Sequence, residues 1–142
     1  MVGKTKAANK SERDRMSAIK DLPCLPCMLV LYKQVFRKAK QSTVQHVVEG
    51  FRRLGHEYTY GSCAYHHLGH NDEGMSNQKM MGIFGPSLAH GKRTFQGTFG
   101  SERNLVKVQN LLLKRGEESS WGSYMPPRNV LLEVVNKWID GK

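Results

Sequence analysis

Three cysteines and a run of histidines carry the chemistry this sequence offers. Cys24-Leu25-Pro26-Cys27 is a C-x2-C knuckle, and Cys63-Ala64-Tyr65-His66 is a C-x2-H knuckle that begins 36 residues after the first one ends. Each knuckle turns two side chains toward one point, so two knuckles converge on one tetrahedral ion. A Cys3His set uses every cysteine in the chain. The plain alternative is three buried thiols acting as small apolar residues. The second pair tips the reading toward a structural zinc held by Cys24, Cys27, Cys63 and His66.

His67 directly follows the second knuckle. Adjacent residues at a helix start diverge by about 100°. With His66 turned to the cysteines, His67 is free for a second site. His66 and His70 share a face at i, i+4, as do His67 and Asn71. His46 lies among valines, and alone it reads as a core histidine with one bonded nitrogen. Beside the downstream histidines it becomes a candidate general base, because imidazole titrates near neutrality and can take a proton from an attacking water.

Local elements must position these groups. The β-branched stretch TVQHVV, residues 43–48, reads as a strand. Val44, His46 and Val48 share one face, with Thr43, Gln45 and Val47 on the other. Arg52 and Arg53 follow in a loop punctuated by Gly50 and Gly55. Residues 58–60 form a second short strand, and residues 64–70 begin a helix. Upstream, residues 1–10 read as a disordered basic arm carrying Lys4, Lys6 and Lys10. The segment SERDRMSAIKDL reads as a marginal helix capped by Ser11, with Asp14 in the capping-box position. Pro23 and Pro26 bracket Cys24, so residues 23–27 read as a tight turn. It precedes an apolar run, 28–32, and a basic segment, 33–40.

Residues 71–100 are rich in glycine and read as loop-dominated. Ser101 caps a helix running to Arg115 and ended by Gly116, with Leu105, Val108, Leu111 and Leu112 on one face. A last helix spans residues 129–140, with Leu131, Leu132, Val135, Trp138 and Ile139 at apolar spacing. The expected organisation is a basic arm and helix, 1–20, followed by one α+β domain, 21–142.

Composition narrows the function classes. The chain has 142 residues, 39% of them apolar, which suits one modest core stapled by a metal. Its net charge is +10, from 22 Lys+Arg against 12 Asp+Glu, and such an excess attracts polyanions, nucleic acid foremost. No window approaches the apolar length of a membrane span, and the N-terminal stretch lacks an apolar signal core. A cytoplasmic location follows as an expectation, and in a reducing compartment metal ligation is the leading use of the cysteines.

Read together, Leu22-Pro23-Cys24-Leu25-Pro26-Cys27, Gln45-His46-Val47 and Cys63-Ala64-Tyr65-His66-His67-Leu68-Gly69-His70 resemble the zinc-stapled HNH endonucleases. More closely, they are similar to the phage Ref-type recombination-enhancement proteins, which are RecA-dependent HNH nucleases. The likeness covers about residues 20–100, including His90-Gly91-Lys92-Arg93-Thr94-Phe95. It implies a small ββα-metal (HNH, treble-clef-like) core with a structural Zn2+, flanked by helices. It implies His46 as general base and His67 as a ligand of a catalytic divalent ion, Mg2+, Mn2+ or Zn2+. Where the family commonly carries Asp or His before the base, this chain has Gln45. His90, His70 or Asn71 would then complete the ligand set, with His90 preferred.

The implied activity is metal-dependent hydrolysis of DNA phosphodiester bonds in phage recombination or DNA processing. DNA and a RecA-type recombinase filament are the implied partners, in the host cytoplasm for a phage or prophage protein. Arg52, Arg53, Lys92 and Arg93 are the phosphate-contact candidates, and such contacts carry no sequence code. The alternatives are a non-catalytic zinc module that binds DNA or a recombination protein, and a structural zinc ribbon for protein contacts.

Overall fold

The computed structural model describes residues 7–32, 40–118 and 125–142. Lys4 and Lys6 of the expected arm, and residues 33–39 of the basic segment, lie outside the described residues. The fold is α+β: seven helices among the described residues, with short antiparallel strands between them.

Helix α1 spans Lys10–Lys20 and starts earlier than expected. Asn9 caps it, accepting from the Glu12 backbone N–H at 2.8 Å while the Glu12 carboxylate accepts from the Asn9 N–H at 3.0 Å. The longer Glu12 side chain closes the capping box, and Asp14 instead pairs with Lys10 one turn back at 2.9 Å. Ile19 is fully buried, and the Arg15 guanidinium donates to the Thr59 hydroxyl and carbonyl, tying α1 to the strands.

The expected turn at residues 23–27 is instead the start of a helix, α2, Leu25–Leu31. Cys24 is its N-cap, and Pro26 falls in the first turn, where no backbone donor is needed. The two prolines therefore initiate the helix and do not break it.

Strand β1 (Thr43–His46) pairs antiparallel with β4 (Thr59–Ser62), with Gln45 opposite Tyr60 and His46 opposite Thr59. The expected single strand over 43–48 breaks at Val47. There the chain changes partner, and β2 (Val48–Glu49) pairs with β3 (Arg52–Arg53) as a separate hairpin. Buried Val47 and Leu54 anchor its base through the Leu54 N–H, which donates to the Val47 carbonyl at 2.9 Å. Helix α3 (Ala64–Leu68) follows β4, giving the strand–strand–helix order that carries the candidate site.

Residues 71–100 are not loop-dominated. They hold α4 (Asn77–Phe84), a 3-10 turn (Leu88–His90) and α5 (Lys92–Phe99). The glycines mislead because several lie between elements. Gly85 and Gly100 end α4 and α5 at φ of 75° and 80°, a conformation that favours glycine.

Helix α6 (Glu102–Glu118) runs through Gly116, and Ser101 accepts from the Asn104 N–H as expected of a cap. Helix α7 spans Arg128–Gly141. Its buried stripe is Val130, Leu131, Val134, Val135 and Trp138, whereas Leu132 and Ile139 are exposed. The main core joins α2, α5, α6 and α7 through residues such as Met28, Phe95, Phe99, Leu105, Leu112 and Val134. The Trp138 indole N–H donates to the Phe99 carbonyl at 2.8 Å, fixing α7 against α5.

Candidate metal centre and active site

The two knuckles meet. Cys24 caps α2 and accepts from the Cys27 N–H, and Cys63 caps α3 and accepts from the His66 N–H. Helix capping by sulfur thus aims all four side chains inward. The His66 Nδ1 atom lies 3.5, 3.5 and 3.3 Å from the sulfurs of Cys24, Cys27 and Cys63, and Cys27 Sγ lies 3.7 Å from Cys63 Sγ. A tetrahedral zinc with ordinary Zn–S and Zn–N bonds needs about 3.8 Å between sulfurs and about 3.6 Å between sulfur and nitrogen. The donor set therefore fits that ion closely.

His66 Nε2 donates to the Phe84 carbonyl at 2.7 Å, which fixes the tautomer and leaves Nδ1 free as a ligand. All four residues are at most 1% exposed, in an apolar cluster with Leu31, Tyr65, Met80 and Phe84. Burial pushes the Cys24 thiol up, whereas hydrogen bonds from Cys24 and Cys27 hold Cys63 well below the usual thiol range. A zinc ion bound between these sulfurs would hold them as thiolates. Among the described residues, these are the four that could hold a metal as a His, Cys, Asp or Glu group of three or more.

His46 is half-buried at the end of β1. Its Nδ1 accepts from the Arg53 guanidinium at 2.8 Å, and its Nε2 meets His56 Nδ1 at 2.9 Å. Arginine can only donate, so the neutral His46 carries its hydrogen on Nε2 and donates to His56. Burial lowers the His46 pKa first, with the charges of Arg53 and His56 adding to it, to about 4. His56 was not singled out in the sequence. The signal was available only weakly, as a histidine in the turn just before the second strand.

His67 is half-buried and is not one of the four residues of the staple. Burial lowers its pKa and the charge of Glu102 opposes that shift. Glu102, the second residue missed, is 4% exposed in the first turn of α6, where the helix dipole favours a carboxylate. It accepts from the Tyr60 hydroxyl at 2.7 Å and pairs with Lys92 at 3.3 Å. Tyr60 lies across the ladder from Gln45, whose side-chain oxygen is buried with no hydrogen-bond partner among the described residues. No hydrogen bond joins His46 to His67 among the described residues.

His90 is exposed at the end of the 3-10 turn. Its Nδ1 accepts from the Ser87 N–H at 2.9 Å, so in this arrangement the neutral ring carries its hydrogen on Nε2. Of the four basic candidates, Arg52 and Arg93 are exposed, Arg53 contacts His46, and the Lys92 ammonium contacts the Val48 carbonyl as well as Glu102.

A ββα unit joined to a neighbouring helix through a buried Cys3His set that could hold a structural metal defines the class of this α+β protein, with further histidines lying outside that set. The family model for recombination enhancement, RecA-dependent nuclease, matches residues 8–114, and the chain belongs to that family. Comparison with curated proteins and with solved structures gives no match. Among the described residues, no helix is long and apolar enough to cross a membrane.

Proposed function

We propose that the chain is an HNH-type endonuclease that hydrolyses DNA phosphodiester bonds with a divalent ion. The observation that carries this reading, within the family, is the placement of His46 at the end of β1, where its Nδ1 accepts from Arg53 and its Nε2 meets His56. With its pKa pushed down to about 4, the imidazole is neutral at neutral pH and able to accept a proton. Its basic atom is Nδ1, because His56 holds the hydrogen on Nε2. In the free protein Arg53 covers Nδ1. Arg53 is exposed, and a DNA phosphate is a stronger partner for a guanidinium than a neutral imidazole. Strand binding therefore draws Arg53 away and frees Nδ1 to take a proton from the water that attacks phosphorus.

His67 and His90 would hold the catalytic ion together with the unpartnered Gln45 oxygen, His90 by giving up its contact with the Ser87 N–H so that a ring nitrogen is free, and Glu102 would supply negative charge beside His67. A divalent ion held there would polarise the scissile phosphate and stabilise the leaving 3′ oxygen. Arg52, Lys92 and Arg93 join Arg53 in holding the backbone, and a RecA-type filament on single-stranded DNA is the proposed partner.

The test is nicking of supercoiled plasmid with Mg2+ or Mn2+, with and without a recombinase filament, alongside a metal count. Metal-dependent nicks and a second ion that is lost in His67→Ala are expected. No nicks under any condition, with one metal per chain, would leave the non-catalytic zinc module as the better reading.

The pH profile gives an independent check. A depressed His46 pKa means the base form is present above about pH 4 and is lost as pH falls through that value. In Arg53→Ala one of the charges that lowers it is gone, so the acid limb of kcat/KM should move up toward 6.5, the ordinary histidine value. An unmoved limb in this variant would argue against His46 as the titrating base.

A further inference from the structure

We propose that the tip of the β2–β3 hairpin, Phe51, docks one unstacked base of single-stranded DNA. This rests on the reading of DNA as the substrate. Phe51 is 90% exposed, whereas Phe84, Phe95 and Phe99 are at most 2% exposed. An aromatic ring held in water at the end of a hairpin has no packing role to account for it.

The tip is built to be rigid. The pairs Val48–Arg53 and Glu49–Arg52 leave Gly50 and Phe51 as a two-residue turn. Gly50 has φ of 62° and Phe51 does not have a positive φ, the pattern of a tight turn with glycine at its first central position. Three contacts brace the hairpin from below. Leu54 is buried at its base, the Lys92 ammonium reaches the Val48 carbonyl, and Arg103 holds Glu49 through two bonds of 2.6 and 2.7 Å. The ring is therefore presented at little conformational cost.

Charge selects the occupant. Arg52 and Arg53 directly follow the ring and are exposed, whereas Lys92 and Arg103 under the same hairpin are paired with Glu102 and Glu49. An aromatic face beside two exposed arginines matches a nucleic-acid strand, with phosphates on the arginines and a base on the ring. A base stacked on Phe51 also brings its backbone to Arg53, the residue that covers His46.

Single-stranded DNA is favoured over duplex by magnitude. One base–aromatic stack is equivalent to about a 5- to 150-fold change in affinity. Opening a duplex step costs as much or more unless a bend brings further contacts. One phenylalanine does not offset that cost, whereas a base of a single strand already offers its face.

The experiment uses the full chain and a labelled single-stranded oligonucleotide, with a duplex of the same sequence for comparison. Phe51→Ala should lose at least about 5-fold in single-strand affinity, with little change on duplex. In Phe51→Trp, emission should be quenched by the single strand beyond the response of the parent. Because the side chain is exposed, both variants should melt with the parent. Single-strand binding by Phe51→Ala equal to the parent, with no added quenching in Phe51→Trp, overturns the proposal. So does loss of binding to a recombinase filament alone, which would make the tip a protein contact. If the parent never cuts DNA yet Phe51→Ala loses single-strand binding, the endonuclease reading fails and the docking point stands. If the parent cuts and Phe51→Ala cuts and binds equally well, the docking point fails alone.

Discussion

Stripping the metal from the Cys3His staple is expected to unfold the protein. Cys24 and Cys27 open α2, and Cys63 and His66 open α3, so one ion joins segments 36 residues apart. All four ligands are buried, with Tyr65, Met80 and Phe84 packed around them. Structural zinc contributes about 10–16 kcal/mol of apparent free energy in small zinc modules, against a total stability of about 5–15 kcal/mol for a typical domain. The metal term is as large as the whole margin. Without it, three cysteine sulfurs and an imidazole must stay enclosed with no ion to pair them. Zinc release by a thiol-modifying reagent should yield one equivalent from this site, with loss of helical circular dichroism in step. Cys27→Ser should be poorly folded at 37 °C. An apo protein with the melting curve of the holo form would show that the cluster is not a staple.

Replacing His46 by alanine is expected to slow DNA cleavage by about 10²–10⁴-fold, the ordinary contribution of a positioned general base. The change removes the acceptor that Arg53 covers and the donor that meets His56, and nothing in the staple. His46 is half-buried at the end of β1, so its truncation leaves the core clusters intact. The variant should retain its structural zinc, melt within a few degrees of the parent, and bind DNA with similar affinity. Single-turnover nicking at saturating enzyme separates this loss of rate from a loss of binding. Cleavage at the parental rate by a folded His46→Ala protein would remove His46 from the chemistry.

Some of this was legible in the residues alone. The staple was, because a knuckle is local: two ligands three apart at a helix cap point the same way, and two such pairs require only that the chain bring them together. The closing helices were, because their apolar residues recur at helical spacing, although the buried stripe of α7 rotated from Ile139 toward Val134 once α6 packed on it. The tight turn expected at residues 23–27 was wrong, since proline signals either a break or a helix start, and only packing against α4 and β4 distinguishes the two. The loops expected over 71–100 were wrong for a related reason. Glycine weakens a helix but does not forbid it, and burial of Met80, Phe84, Phe95 and Phe99 outweighs that penalty.

The Cys3His set and the excess of positive charge were thus determined by sequence, since each depends on residue type and short spacing. The surroundings of the histidines were decided by tertiary structure. Arg53 and His56 reach His46 because the chain folds back at Gly50, and Glu102 lies near His67 because α6 packs on β4, although 35 residues separate the two. Such partners come from long-range packing, which no local spacing encodes. Packing therefore sets which nitrogen of His46 is basic, and at what pH.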